Sequence, residues 1–176
     1  MMNSTTKEKI IEKYELIPHP EGGYYKESFR SDVKVQVGSS SGDGKIRTAS
    51  TAIYFLMTPE SVSRLHKIKS DEVWHFYLGT SITVVELDEK TGGYKTTIVG
   101  PNVLDGEFVQ YTVKAGTWFG SFPNTLTVNE DSFSFVGCTV SPGFEFEDFE
   151  LGSRGRLAEQ FPEAIEMIDK LTVGLP

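Results

Sequence analysis

Apolar positions change period along this chain, and the changes divide it into three regions. Over 4–15 they recur at helical spacing. Ile10, Ile11, Tyr14 and Leu16 form one stripe, Ser4, Thr5 and Thr6 offer N-caps, and Glu8 falls in the first turn. Pro18 and Pro20 end that helix, Gly22-Gly23 permits a tight turn, and residues 24–30 alternate as a strand does. Residues 38–45 are small and polar, a loop with nothing to pack. From 51 onward the pattern is almost wholly β. It predicts strands at 51–57, 63–68, 72–78, 81–88, 94–99, 107–113, 117–122, 125–128 and 133–140, with turn residues between them. The Glu-Lys-Thr-Gly-Gly run at 89–93 joins two of these into a hairpin. Helical spacing returns at the end. A helix begins near 157–160, and Pro162 suits the first turn of one running to Leu171, with Ala164, Ile165, Ile168 and Leu171 facing inward.

Short strands at intervals of about 8–12 residues indicate a sandwich or barrel and not βαβ units. The fold class is therefore all-β. One domain spans 1–176, with an N-terminal helix over 4–16, an antiparallel β body over 20–150 and a helical segment over 155–172.

Composition narrows the partners. Net charge is −8, and no Lys/Arg block interrupts the acidic background, so neither nucleic acid nor an anionic membrane surface is expected to bind. The aromatic content of 12% suits pleated sheet faces. Cys138 is the single cysteine, which rules out an intramolecular disulfide and fits a reducing compartment. Its apolar surroundings predict a buried, inert thiol. The N-terminus lacks the apolar core of a signal peptide and no apolar run reaches membrane-spanning length, so a cytoplasmic protein is expected.

Candidate chemistry gathers in Ser63-Arg-Leu-His-Lys-Ile-Lys-Ser-Asp-Glu-Val-Trp-His-Phe-Tyr-Leu-Gly79, which holds two of the three histidines. Strand alternation from Glu72 puts Trp74 and Phe76 on its face and Val73, His75 and Tyr77 on the other. His66, Ile68, Glu72 and Gly79 occupy the His, second-His, Glu and final-Gly positions of the first cupin motif. In the second motif Gly116 fits, whereas Lys114 stands where Pro is usual and Phe119 where the His is usual. A longer likeness runs through Leu16-Ile-Pro-His-Pro-Glu-Gly-Gly-Tyr-Tyr25, the strand at 51–56, residues 70–79, Ala115-Gly-Thr-Trp-Phe119 and residues 140–149. Together these resemble the DUF985 (Cupin_5) family. The resemblance implies a cupin double-stranded β-helix (jelly roll), commonly a homodimer. It also implies likeness to nucleotide-sugar epimerases and sugar-phosphate isomerases, hence a small-molecule ligand such as a sugar, sugar phosphate or nucleotide sugar.

Cupin metal sites usually take three His and one carboxylate. Only His66 and Glu72 remain here as metal ligands, with His75 a third donor if it turned inward, because Ile68 and Phe119 coordinate nothing. No tightly bound cofactor is therefore expected, and at most a weakly held divalent metal. Without one, His66 can act as a general base oriented by Glu72 or Asp71, with Tyr24, Tyr77 or Tyr54 returning the proton. Arg30 and Arg64 are suited to clamp a phosphate or carboxylate. Glu21 sits at the glycine-rich bend, where backbone can approach a ligand, and Trp74, Trp118 and Phe119 offer stacking surfaces. Each has a plainer alternative: a satisfied polar pair, solvated arginines, core aromatics. The Phe/acid alternation over 143–150 predicts an edge strand or a lid. Three functions stay open: an isomerase or epimerase using His66 and a Tyr, a non-catalytic metabolite-binding cupin, and a metal-dependent oxygenase, which needs more ligands than the chain offers.

Overall fold

A computed structural model describes residues 5–38, 44–125, 129 and 132–173. The chain opens with helix α1 (Thr6–Tyr14), closed at its N-terminus by a capping box in which the Thr5 and Glu8 side chains accept each other's backbone N–H. Strands β1 (Ile17–Pro18), β2 (Tyr24–Arg30), β3 (Lys34–Val37), β4 (Lys45–Thr48), β5 (Thr51–Met57), β6 (Ser63–Lys67) and β7 (Asp71–Gly79) follow. Then come β8 (Ile82–Asp88), β9 (Gly93–Val99), β10 (Gln110–Val113), β11 (Phe119–Pro123), β12 (Ser134–Ser141) and β13 (Glu150–Leu151). Helices α2 (Arg154–Gln160) and α3 (Ile165–Leu171) finish the chain. Among the described residues no helix is long and apolar enough to cross a membrane.

Two antiparallel sheets face each other, one ordered β1-β2-β5-β12-β7-β10 and the other β13-β6-β11-β8-β9. Their inner faces supply the main core, which includes Phe55, Ile68, Trp74, Val84, Phe119 and Val136. The outer face of the six-stranded sheet would expose Leu56, Phe133 and Phe135, and α1 covers them with Ile10 and Leu16. The outer face of the other sheet carries Leu65, Val85, Leu87 and Trp118. Over these lie α2 and α3 with Leu157, Phe161, Ile168 and Leu171. Each helix is thus amphipathic because it has one sheet face to cover.

The predicted strands at 51–57, 72–78, 81–88, 94–99 and 133–140 lie within one or two residues of β5, β7, β8, β9 and β12. Other boundaries move. A turn in which Thr117 N–H bonds Lys114 O delays β11 to Phe119. The segment expected at 107–113 forms a continuous strand only from Gln110, Phe108 making an isolated bridge to Val99. Residues 126–128 lie outside the described residues, as do 39–43 of the predicted loop. The hairpin β3–β4 was not expected, because its strands stand largely clear of the core and carry no continuous apolar face. Ile165, assigned to the inward stripe of the last helix, is 45% exposed, since Pro162–Ala164 forms a 3₁₀ turn that rotates the register before α3 starts. The alternating 143–150 segment is not a strand: Phe146–Asp148 forms a 3₁₀ turn and only Glu150–Leu151 pairs with β6.

The bend before β2 is forced by close packing. Gly22 has φ +118, and a Cβ there would sit 2.0 Å from the Val62 carbonyl oxygen. Gly23 has φ +72 and would press on Leu56 O. Gly22→Ala is expected to destabilise the protein by about 3 kcal/mol, roughly 6–12 °C in Tm. Gly155→Ala, inside α2 with open space around it, should be neutral or stabilising by up to about 1 kcal/mol. Thermal melts of the two variants check this pair, and equal effects would contradict it.

Candidate functional site

The bend delivers His19 and Glu21 into the mouth between the sheets. Gly22 N–H bonds His19 O at 3.0 Å and His19 N–H bonds Gly23 O at 3.0 Å, so the turn closes on itself and both side chains project inward. His66 comes from β6 in one sheet and Glu72 from β7 in the other, because the chain crosses between sheets at residues 68–70. Cys138 and Val140 on β12, Tyr25 and Glu27 on β2, and Ile53 on β5 complete the walls. The strap after β12 closes over them with Phe144, Phe146 and Phe149. The cavity measures about 280 Å³.

Its polar centre is a buried pair. His66 Nδ1 lies 2.8 Å from Glu21 Oε2 and 2.7 Å from the Arg64 carbonyl. Both partners are acceptors, so Nδ1 carries a proton, and in the neutral ring Nε2 is left as the lone-pair nitrogen. Ser63 Oγ donates to the same Glu21 oxygen at 2.7 Å, while Glu21 Oε1 stands 3.1 Å from His19 Nδ1. Phe119 and Phe149 pack against the His66 ring at 4.1 and 5.2 Å between centroids, fixing its plane.

Burial and charge drive the two carboxyls apart. Burial alone would raise Glu21, but the His66 charge and hydrogen bond, His19 and the Ser63 hydroxyl outweigh it and bring its pKa down to about 2. Glu72 is pushed the other way. Burial dominates, Glu21 repels it, and the opposing His66 charge and Cys138 thiol bond are too weak, so its pKa rises to about 7. Burial lowers His66, yet the charge and hydrogen bond of Glu21, with Glu72 behind, raise it above its ordinary value. His19 is lowered, chiefly by burial. Burial, with Glu72 beside it, also pushes the Cys138 thiol far up, so it stays protonated.

The residues singled out in the sequence divide sharply. His66, Glu72, Glu21 and Arg30 line the cavity. Tyr24, Tyr54 and Tyr77 do not. Tyr24 packs with the α1 cluster, and Tyr54 and Tyr77 stack around Phe135 on the outer face of the same sheet. The tyrosine that does face the cavity is Tyr25. Asp71 is at the surface, paired with Lys114 at 2.7 Å, so the carboxylate orienting His66 is Glu21. Arg64 contributes backbone only, its N–H to Glu21 O at 2.9 Å and its carbonyl to His66. Trp74 lies in the central core and Trp118 beneath the C-terminal helices, where Lys67 sits 4.5 Å over its ring. Phe119 reaches the site only through His66. His75 points away and bonds Thr139 Oγ1 at 3.0 Å. Among the described residues no three His, Cys, Asp or Glu are grouped to hold a metal. Ile68 and Phe119 stand where two of the usual cupin donors would be and coordinate nothing, so although His66 Nε2 keeps its lone pair the donors present do not fit the usual cupin metal set. Glu27, Glu145 and Phe146 line the cavity without having stood out in the sequence, although the Phe/acid alternation marks two of them.

Known proteins share this architecture. The family described as Cupin superfamily (DUF985), Cupin_5, matches residues 8–152. The uncharacterized protein YML079W of Saccharomyces cerevisiae is 33% identical over 150 residues, covering 80% of this chain and 72% of that one. A hypothetical protein from Leishmania major has a TM-score of 0.83 and 38% identity, over 96% of this chain and 98% of its own. Protein SO0799 from Shewanella oneidensis has a TM-score of 0.80 and 35% identity, with the same coverage. With its two facing sheets forming a cupin jelly roll around the His66 cavity, the chain belongs to the Cupin_5 (DUF985) family of the cupin superfamily.

Proposed function

We propose that the cavity is an acid–base active site that isomerises or epimerises a small hydroxy-carbonyl compound of the sugar type. The observation that carries this reading is that two buried carboxyls, one at about 2 and one at about 7, share the cavity with a buried histidine. Glu21 stays ionised and holds the His66 ring by Nδ1, leaving Nε2 as the base. Glu72 retains its proton near neutrality and serves as the acid, in place of the tyrosines expected from the sequence. His66 removes a proton from the carbon beside the carbonyl, and the C–H electron pair moves into the new C=C bond. The carbonyl oxygen takes the Glu72 proton to give an enol. Delivery of the His66 proton to the former carbonyl carbon, while the hydroxyl on the deprotonated carbon gives its proton to Glu72 and becomes the new carbonyl, completes the isomerisation. The phenyl rings of the strap give the reacting centre an apolar wall.

Turnover needs one proton shared between His66 and Glu72, so the kcat/KM profile should be bell-shaped around neutral pH, its two limbs belonging to the pair. Solvent-deuterium exchange into aldoses and ketoses, followed by NMR, provides an assay that works whichever product forms. His66→Gln and Glu72→Gln should each lower that exchange by about 10²–10⁴ while the proteins stay folded. Absence of exchange across such a panel with the wild-type chain would overturn the enzymatic reading and leave a binding protein.

Stability should report the same charges. A Glu72 carboxyl raised to about 7 contributes stability that is complete below its ordinary pKa of 4.5 and lost as pH climbs through 7. His66, also raised, loses its contribution in the alkaline direction. Glu21, lowered to about 2, contributes above pH 4.5 and loses that contribution as pH falls toward 2. Glu72→Gln, which fixes the neutral form, should therefore gain in unfolding free energy relative to wild type as pH rises from 4.5 to 8, by about a few kcal/mol at most, read as a rising Tm difference. A constant difference between the two proteins over that range would refute the assignment.

A further inference from the structure

Charge around the cavity is lopsided, and the Arg30 guanidinium that lines it is already occupied. Arg30 donates from Nε to both carboxylate oxygens of Glu27 at 3.0 and 3.2 Å, and from one terminal nitrogen to Glu27 Oε2 at 2.9 Å and the Phe144 carbonyl at 3.2 Å. The other terminal nitrogen donates to Glu145 Oε1 at 2.7 Å. A guanidinium has five N–H groups, so almost nothing is left for an incoming phosphate. Among the described residues no lysine lines the cavity. The basic side chains nearby, Lys45 and Arg47, are drawn to Glu147 and Asp148 of the strap instead. Even with His66 protonated and Glu72 neutral, Glu21, Glu27 and Glu145 outnumber the cations lining the cavity.

An anion entering this space would meet that net negative field with the Arg30 guanidinium already engaged and only the His66 ring left to offer it a charged donor. A protonated amine would meet carboxylates and the aromatic rings of Tyr25 and Phe146, a combination that attracts an ammonium. We propose that the cavity selects small molecules bearing a protonated amine, as an amino sugar does, over their neutral parents, and rejects phosphorylated ones. This selectivity rests on the cavity being the site of the acid–base reading above, and it replaces the sugar-phosphate clamp that the arginines suggest in the sequence.

Matched ligands test it by binding alone. Calorimetry and thermal shift with glucosamine, glucose and glucose 6-phosphate, and with ethanolamine, ethylene glycol and glycolate, should rank amine above neutral above anion. The amine should bind about tenfold or more tightly than its neutral parent. Glu145→Gln, and Glu27→Gln combined with it, release Arg30, and should weaken the amine while admitting the phosphate. An anion that binds the wild-type chain as well as its amine counterpart overturns the proposal, and so does a panel in which no amine exceeds its neutral parent. Repeating the series in Glu72→Gln separates the two claims: ranking retained without turnover supports charge selection irrespective of the acid–base chemistry, while exchange activity with no amine preference does the reverse.

Discussion

A histidine and a glutamate buried together are costly unless each satisfies the other, and the Glu21–His66 pair is where this fold meets that requirement. Glu21 accepts from His66 and Ser63 on one oxygen and faces His19 on the other. The arrangement depends on the bend at Gly22-Gly23, which passes within contact of the Val62 and Leu56 carbonyls and so tolerates no side chain. Loosening the bend would leave the His66 Nδ1 proton with the Arg64 carbonyl alone and no carboxylate to bond it. The bend, the pair and the shape of the cavity mouth thus form one unit.

Glu72 draws its properties from that unit without belonging to it. It lies on the opposite sheet, and the Glu21 charge opposes its ionisation while burial withholds water. Two carboxyls of the same chemical type are thereby held in different protonation states at neutral pH, one by a strong partner and one by the lack of one. The strap adds the third ingredient. Phe144, Phe146 and Phe149 pack edge to face over the cavity, and Arg30 and Arg47 tie the strap's acidic residues to β2 and β4. The acids of the Phe/acid alternation are the anchors of this cover.

The features legible in the sequence were those set by local periodicity. Continuous apolar runs marked β5 and β12, and alternation put Glu72 inside and His75 outside, as found. Ile68 and Phe119, which stand where cupin ligands are usual, pack as core side chains. What alternation cannot supply is which face of a strand its neighbours will cover. Tyr24 and Tyr25 are adjacent and both aromatic, and only the docking of α1 on the outer face decides that Tyr25 points into the cavity. The Glu21–His66 contact and the Arg30–Glu145 pair join residues distant in sequence, so no spacing rule announces them. The 143–150 segment kept one of its two readings: it is not the edge strand that Phe/acid alternation fits, since Phe146–Asp148 forms a 3₁₀ turn, but its phenyl rings cover the cavity as a lid does.

The central claim is that Glu72 keeps its proton at neutral pH while Glu21 does not. It is read most directly by carbon-13 NMR titration of the glutamate side-chain carboxyls, with the Glu72 resonance assigned by its disappearance in Glu72→Gln. The account predicts one buried glutamate titrating near pH 7 and another, Glu21, still ionised well below pH 4. A Glu72 resonance titrating at the ordinary carboxylate value near 4.5 would contradict it.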